Sequence, residues 1–226
     1  MKFENIMRKG QVNGTYISVN PDPLYKGADY SLTKAVESLT LNPEGIVGDR
    51  HFGFTAITGG RTKKLYERGI QFRNNRQWCG ISSDEINKIK CRLGLEKKLT
   101  PESLGVNLVI DGLEVDRPGG LSHLAPLTYL VISSDQGDYK GCRPDDVVLV
   151  VYAGMLPCKV AGLQLAGEYG NPDFERNFPK AALEMVDTGS NKKILTTYRG
   201  SAGWIEKGGI IRPGNVVWAL TPKGVD

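Results

Sequence analysis

Glycine constrains what this chain can fold into more than any other feature of its sequence. There are 28 glycines among 226 residues, which is about 12% against a usual share of about 7%. Glycine destabilises helix interiors, but it is favoured in tight turns that need a positive φ angle. Many short strands joined by tight turns therefore fit the sequence better than a helical bundle. Because no long Pro- or Ser-rich linker interrupts residues 1–226, we expect a single domain.

Several segments have the composition of strands. Residues 12–19 are rich in β-branched and aromatic side chains, and the apolar run at residues 147–152 is typical of a strand covered on both faces. Further strand candidates are residues 35–41, 76–81, 106–110, 129–132, 202–206 and 216–220. The pattern predicts a mainly β fold, a closed or nearly closed barrel with a few peripheral helices.

The clearest helix prediction lies at residues 83–93. Ser82 and Glu85 have the spacing of a capping box, in which each side chain binds the backbone N–H of the other residue. Residues 159–169 and 180–186 are two further helix candidates. The sequence therefore predicts few helices, placed between strands.

The counts of cysteine and histidine limit the chemistry that is available. The chain has 4 cysteines and 2 histidines, which excludes a metal site built from several histidines. No two cysteines have the CxxC spacing of a structural zinc site or a redox dithiol. The sequence also lacks a signal-peptide pattern and an apolar run of about 18 residues. We therefore expect a cytoplasmic protein with reduced thiols and no membrane segment.

Cys158 is the first candidate functional residue. It follows a strand candidate and Pro157 and precedes a helix candidate, and a helix N-terminus favours the thiolate form of cysteine. A thiolate attacks electrophilic sulfur or coordinates a soft metal, such as one carried by a pterin dithiolene. The alternative is that Cys158 is a small buried apolar residue. Cys142, in a polar loop, is a second thiol that would pair with Cys158 in a disulfide or persulfide.

A second group of candidates is polar and mostly cationic. Asp49, Arg50 and His51 follow one another in a glycine-flanked loop. Arg50 can bind a phosphate or carboxylate through two hydrogen bonds, and His51 can donate to an anion or transfer a proton. With Arg76 and Arg199 they would form a site for one anionic ligand. The alternative is a structural loop in which Asp49 caps a turn and Arg50 pairs with it.

Positive charge is concentrated in one segment. The whole chain has a net charge of +4, whereas residues 61–76 contain six basic residues against Glu67, a local charge of +5. This basic segment supports another hypothesis, a non-catalytic barrel that binds RNA or an acidic protein. Because the net charge of the whole chain is modest, we do not expect nucleic acid to be the partner.

Five motifs occur in a fixed order along the chain. They are GIVGDRHFG at residues 45–53, NRQWCGISSDE at 75–85, ESLGVNLVIDGLEV at 102–115, PC at 157–158 and RGSAGWIEKGGIIRPGN at 199–215. In this order they resemble the MOSC domain family, which is related to the C-terminal domain of molybdenum cofactor sulfurase. The resemblance covers residues 10–220. It implies a distorted, closed β-barrel of the MOSC or pyruvate-kinase-barrel-like type, with a few surface helices.

The resemblance also implies a function and a set of site residues. Cys158 would be the functional thiol, either as a persulfide-bearing sulfur carrier or as a ligand to the molybdenum of a bound pterin. The residues implied in binding this molybdenum cofactor (molybdopterin) are Asp49, Arg50, His51, Arg76, Asn107 and Arg199. We expect the cofactor to be lost on purification.

The implied partners follow from the size of the chain. Larger members of the family are fused to a pyridoxal-phosphate-dependent cysteine desulfurase, and we expect no pyridoxal phosphate domain here. Sulfur would come from a donor such as a separate cysteine desulfurase and pass to a molybdoenzyme acceptor. An alternative implied by the resemblance is a molybdenum-cofactor-dependent reductase of N-hydroxylated compounds, which would need a redox partner.

Overall fold

The computed structural model describes residues 6–18, 33–58, 67–113, 120–187 and 193–221. The strands are β1 (Ile6–Ile17), β2 (Lys34–Ala35), β3 (Leu39–Asn42), β4 (Gly45–Ile46), β5 (Thr55–Ile57), β6 (Gln71–Arg73), β7 (Trp78–Ile81), β8 (Leu108–Asp111), β9 (Tyr129–Ser133), β10 (Val147–Gly154), β11 (Leu183–Asp187), β12 (Lys193–Thr197), β13 (Ser201–Lys207), β14 (Gly209–Ile211) and β15 (Val216–Thr221). The helices are α1 (Ser83–Leu93), α2 (Pro101–Leu104), α3 (Lys159–Tyr169) and α4 (Phe174–Ala181).

Seven of these strands form a closed barrel, which confirms the predicted fold class. Their order is β15, β9, β10, β13, β7, β8 and β1, and β1 pairs again with β15 to close the ring. At the closure, Ile6 lies opposite Thr221 and Gln11 lies opposite Val216. The pairing of β7 with β8 is parallel, and α1 and α2 form the crossover that a parallel pair requires.

Alternate residues of the barrel strands belong to two different apolar cores. Leu108 and Ile110 of β8 pack with Leu149 and Val151 of β10 in the core on the inner face. Val109, on the opposite face of β8, packs instead with residues of α1, α3 and α4. This alternation is the period of two that a strand imposes on its side chains. The helices therefore cover the outside of the barrel on one side.

Two of the three main helix predictions are confirmed in full. Ser82 and Glu85 form the predicted capping box of α1, and α3 occupies Lys159–Tyr169 as expected. The predicted helix at residues 180–186 is wrong, because α4 ends at Ala181 and β11 begins at Leu183, where it pairs with β12. Pairing with β12 satisfies the backbone N–H and C=O groups of β11. A short helix at these residues would have to satisfy them through its own internal hydrogen bonds.

The predicted strand at residues 35–41 is in fact two strands with different partners. Lys34–Ala35 pairs with β1, whereas Leu39–Asn42 pairs with β14 and with β4. The small sheet of β14, β3 and β4 leads directly into residues 47–53. Among the described residues, no helix is both long and apolar enough to cross a membrane.

Candidate functional site

The site is built on the loop at residues 47–53, which is held to its surroundings by backbone hydrogen bonds. The Asp49 N–H donates to the Ile46 carbonyl at 3.0 Å, and the Arg50 N–H donates to the Ser18 carbonyl at 2.9 Å. The Phe52 N–H donates to the Asp49 carbonyl at 3.0 Å. The loop therefore has a defined conformation, and this fixes where Asp49, Arg50 and His51 point.

The Asp49 carboxylate is the centre of the hydrogen bonds in this loop. Its Oδ1 accepts from the His51 N–H at 2.8 Å and lies 3.2 Å from His51 Nδ1. Its Oδ2 accepts from the Ser18 N–H and from Asn107 Nδ2, both at 2.9 Å. Burial works to raise the pKa of Asp49, but the hydrogen bonds from His51 and Ser18 outweigh it and lower the pKa. Asp49 is therefore an ionised group whose oxygens are already engaged.

Asn107 ties this loop to the barrel. Its Oδ1 accepts from the Cys79 N–H at 3.0 Å and lies 3.3 Å from Cys79 Sγ, while its Nδ2 donates to Asp49. The residue is 2% exposed. Because both ends of the amide are engaged within the protein, Asn107 positions Asp49. Contact of Asn107 with a cofactor stays a prediction.

His51 is held in its neutral form. Burial lowers its pKa below the ordinary value, and the nearby positive charges of Arg76 and Arg50 lower it further, against the opposing effect of Asp49. With Nδ1 directed at Asp49, the imidazole presents its other nitrogen to the site. A neutral imidazole whose Nδ1–H donates to Asp49 can accept one hydrogen bond at Nε2 without adding charge.

The guanidinium group of Arg76 acts electrostatically on Arg50 and His51 of this loop. Burial lowers the pKa of Arg50, and the charge of Arg76 lowers it further. In the part of the chain that the structure describes, neither arginine forms an ion pair with a carboxylate. Arg76 Nε is buried and has no hydrogen-bond partner among those same residues. Partly buried, uncompensated positive charge of this kind is suited to an anionic ligand.

Cys158 is the N-cap residue of α3 and interacts electrostatically with Arg50. Its side chain is partly exposed and packs against the core between the barrel and the helices. The unpaired N–H groups and the positive dipole end of the eleven-residue helix favour a thiolate at this position. Arg50 thus interacts electrostatically with Cys158, Arg76 and His51, and the role of these residues in binding a cofactor stays a prediction.

Arg199 lies deeper than the other predicted residues. It is 2% exposed, its guanidinium donates to the Leu104 carbonyl, and it lies 5.9 Å from the centre of the Phe178 ring. These contacts join the connection between β12 and β13 to α2 and α4. The predicted role of Arg199 in binding an anion stays a prediction.

Two further residues support the site that the sequence analysis did not single out. Asn74 Nδ2 donates to the carbonyls of His51 and Gly53 at 2.7 and 2.9 Å, and Asn74 Oδ1 accepts from the Arg76 N–H at 3.0 Å. Gln77 Nε2 donates to the Pro43 carbonyl at 2.9 Å. The only signal in the sequence is their place beside Arg76, because amides that bind backbone groups leave no periodic pattern.

Of the remaining thiols, Cys79 contacts Asn107 and acts electrostatically on Arg50, as Cys158 does. Cys79 is buried, whereas Cys91 and Cys142 are exposed, and all four cysteines are free. Cys142 lies in the loop between β9 and β10, beside Tyr139, which packs against a different apolar cluster from the one that Cys158 contacts. The hypothesis of a Cys142–Cys158 pair therefore receives no support from the fold.

The basic segment is only partly described. Residues 61–66, with three of its six basic side chains, lie outside the described residues. Arg68 and Arg73 are exposed, and Arg73 lies over the ring of Trp204 at 4.5 Å. Over the described ranges there is no cluster of three or more His, Cys, Asp or Glu residues arranged to hold a metal ion.

The chain is a β-barrel with a thiol at a helix N-terminus and a guanidinium group that interacts with it electrostatically. The family model described as the MOSC domain matches residues 67–218. The chain belongs to the MOSC domain family.

Two individual proteins are similar to this chain, one in part of its sequence and both in fold. YuaD of Bacillus subtilis (strain 168), whose name refers to metal-sulfur cluster biosynthesis, is 37% identical over 82 residues, which is 36% of this chain and 42% of YuaD. The crystal structure of YuaD superposes with a TM-score of 0.74 over 96% of this chain and 98% of YuaD, at 23% identity. YiiM from Geobacillus stearothermophilus gives a TM-score of 0.51 over 96% and 77% of the two chains, at 15% identity.

Proposed function

We propose that this protein binds a molybdenum cofactor and carries sulfur on Cys158. The observation that supports the proposal is the pair Arg50 and Arg76, whose charges have no carboxylate partner within the described residues, beside a thiol at the start of α3. Membership of the MOSC domain family agrees with a role related to this cofactor. The name of YuaD, a relative of this chain, also refers to a metal-sulfur pathway.

The residues present fit such a cofactor. Arg50 and the buried Nε of Arg76 would hold the phosphate of the pterin, because guanidinium groups bind phosphate through charge-assisted hydrogen bonds. The Cys158 thiolate is a soft ligand that can coordinate molybdenum. The same sulfur can carry a further sulfur atom as a persulfide. The cofactor, when bound, supplies a metal centre whose sulfur and oxygen ligands can be exchanged.

The protein's own residues prepare Cys158 for carrying sulfur. The N-terminus of α3 and the charge of Arg50 stabilise an anion on Sγ, and they stabilise a persulfide anion one atom further out in the same way. Neutral His51 is available to hold a proton near the site. Asp49, which is fully hydrogen-bonded, keeps His51 oriented and does not react.

The test is the composition of the protein as isolated from cells that make the cofactor. Molybdenum, pterin and cyanide-releasable sulfur are measured for the wild type, for Cys158→Ser and for the matched control Cys142→Ser, which removes an exposed thiol elsewhere. We expect cyanide-releasable sulfur in the wild type and in Cys142→Ser and its loss in Cys158→Ser. We expect Arg76→Gln to retain less pterin than the wild type. Equal, negligible amounts of sulfur and cofactor in the wild type and in Cys158→Ser would overturn the proposal.

Two alternatives stay predictions. A reductase of N-hydroxylated compounds would use the same site, and no contact within the described residues favours it over sulfur transfer. A non-catalytic barrel that binds RNA or an acidic protein would use the basic segment. The affinity of such binding would fall steeply as the salt concentration rises, and it would also fall on neutralising Arg61, Lys63 and Lys64. Chemistry at Cys158 would not show this dependence.

A further inference from the structure

The charges that surround Cys158 indicate which chemical class of compound donates its sulfur. This inference rests on the proposed sulfur-carrying function. A persulfide presented by a partner protein arrives at the end of a cysteine side chain and needs little fixed positive charge. A small inorganic sulfur donor that is an anion, in contrast, needs positively charged side chains in the site to bind it. The two cases make different demands on Arg50 and Arg76.

Within the described residues, neither of these two arginines forms an ion pair with a carboxylate. Asp49 is the acidic residue that acts electrostatically on Arg50, and its oxygens already accept from Ser18, His51 and Asn107. His51 adds no charge, since its pKa is lowered. Two guanidinium groups held close together repel each other, so an anion with several oxygens would relieve this repulsion by binding both.

Arg76 provides an independent indication of a ligand. Its Nε is buried, and in the described ranges no acceptor lies within hydrogen-bond distance of it. Burying an N–H donor of a charged group without an acceptor is energetically unfavourable. The backbone of Arg76 is fixed by Asn74, which also binds the His51 loop. The orphan donor is therefore held beside Arg50 and His51 by the fold.

We propose that, before the cofactor binds, Cys158 takes its sulfur from a small dianionic sulfane-sulfur compound of the thiosulfate class, whose sulfonate oxygens bind Arg50 and Arg76 in the place of the pterin phosphate. The tetrahedral sulfonate group offers three oxygens, which is enough to accept from both guanidinium groups. The outer sulfur of the same molecule then lies towards the thiolate at the start of α3.

The transfer balances without any further reactant. The Cys158 thiolate attacks the outer sulfur of thiosulfate, and a bond forms between Sγ and that sulfur. The sulfur–sulfur bond of thiosulfate breaks, and its electron pair leaves with sulfite. The products are the Cys158 persulfide anion and the sulfite dianion, so the total charge of minus three is unchanged. The helix N-terminus stabilises the persulfide anion, and the two arginines stabilise the departing sulfite.

The test is a single-turnover reaction of the full chain, first freed of sulfane sulfur by cyanide and then desalted. Thiosulfate labelled in its outer sulfur is added, and sulfite release and the label retained on the protein are measured. We expect one sulfite and one labelled sulfur per chain in the wild type and neither in Cys158→Ser. In Arg76→Gln we expect the second-order rate to fall about tenfold or more. The matched control Arg68→Gln, which neutralises an exposed arginine, should react like the wild type.

A second donor separates this inference from the function on which it rests. The same variants are incubated with cysteine and an added cysteine desulfurase in the absence of thiosulfate. Suppose that the desulfurase loads Cys158 here, whereas thiosulfate released no sulfite in the single-turnover reaction. This result would overturn the inference and leave the sulfur-carrying function standing. Failure of both donors to load Cys158 would overturn both. Equal rates from thiosulfate in Arg76→Gln and Arg68→Gln would also overturn the assignment of the arginines.

Discussion

At the scale of single residues, Asp49 connects the reactive part of the site to the barrel. Its two oxygens accept from backbone and side-chain donors of Ser18, His51 and Asn107. In the folded protein its pKa is lower than the ordinary value. Ionised Asp49 therefore contributes stability above the ordinary aspartate pKa, and this contribution is lost as the pH falls through the folded value.

Replacing one Asp49 oxygen with an amide tests this arrangement. In Asp49→Asn, the new NH₂ group faces at least one N–H donor in place of an acceptor, so we expect a loss of about 1–3 kcal/mol in the free energy of unfolding. Urea denaturation at neutral pH measures it, with the exposed Asp138→Asn as the matched control. Equal stability of the two variants would show that the Asp49 hydrogen bonds contribute nothing to folding.

At the scale of elements, the N-terminus of α1 is joined to a distant part of the chain through one buried carboxyl group. Glu85 Oε2 accepts from the Ser82 N–H at 2.8 Å, which completes the capping box, and Glu85 Oε1 accepts from the Ser122 N–H at 2.8 Å. Burial raises the pKa of Glu85 to about 7 despite these hydrogen bonds. The capping box is visible in the sequence, but the contact with Ser122 is not.

The raised pKa of Glu85 gives the stability a definite dependence on pH. Because the folded protein holds this proton more tightly than the unfolded chain, stability falls as the pH rises from the ordinary glutamate pKa to about 7. Glu85→Gln resembles the protonated form and cannot ionise. We expect the wild type to lose up to about 3 kcal/mol relative to Glu85→Gln between pH 5 and pH 8.

Denaturant unfolding of both proteins at the two pH values measures this difference. Asp84→Asn, at the exposed neighbouring position in the first turn of α1, is the control and should show no such change. If the gap between wild type and Glu85→Gln stays constant from pH 5 to pH 8, the buried carboxyl does not titrate in this range.

The element boundaries that were predicted well have local causes. α1 begins at a capping box and ends at Gly94, whose φ of 65° is left-handed, so neighbouring residues determine both ends. The failure at residues 180–186 has a distant cause. β11 exists because β12 lies beside it, with Leu183 opposite Thr197. A pattern that depends on a partner further along the chain cannot be recognised in a short window.

At the scale of the whole molecule, the barrel depends on close approach of backbone at Gly200, immediately before β13. A Cβ atom there would lie 1.8 Å from the Gly80 carbonyl oxygen, and the φ angle is +78°. Gly170, which ends α3, has a similar φ of +64° but has no atom within 4 Å of the position a Cβ would take. The two glycines thus share a backbone conformation and differ in packing.

Alanine at these two positions separates conformational strain from a steric clash. Gly170→Ala should lose about 1 kcal/mol in the free energy of unfolding, the strain of a left-handed non-glycine residue. Gly200→Ala should lose about 3 kcal/mol or more, because β13 must move away from β7. Thermal and urea unfolding compare the variants with the wild type. Similar losses in both would mean that β7 and β13 can separate at little energetic expense.

The sequence by itself determined the glycine-rich strand pattern, the barrel class, the ends of α1 and α3, and the candidate thiol Cys158, because turns, caps and alternation depend on near neighbours. The tertiary structure decided which charged residues meet. It brought Arg50 under the electrostatic influence of Arg76, with no ion pair from either to a carboxylate in the described ranges, and it engaged Asn107 and Arg199 within the protein. These relations join residues far apart in the chain, and closure of the barrel creates them.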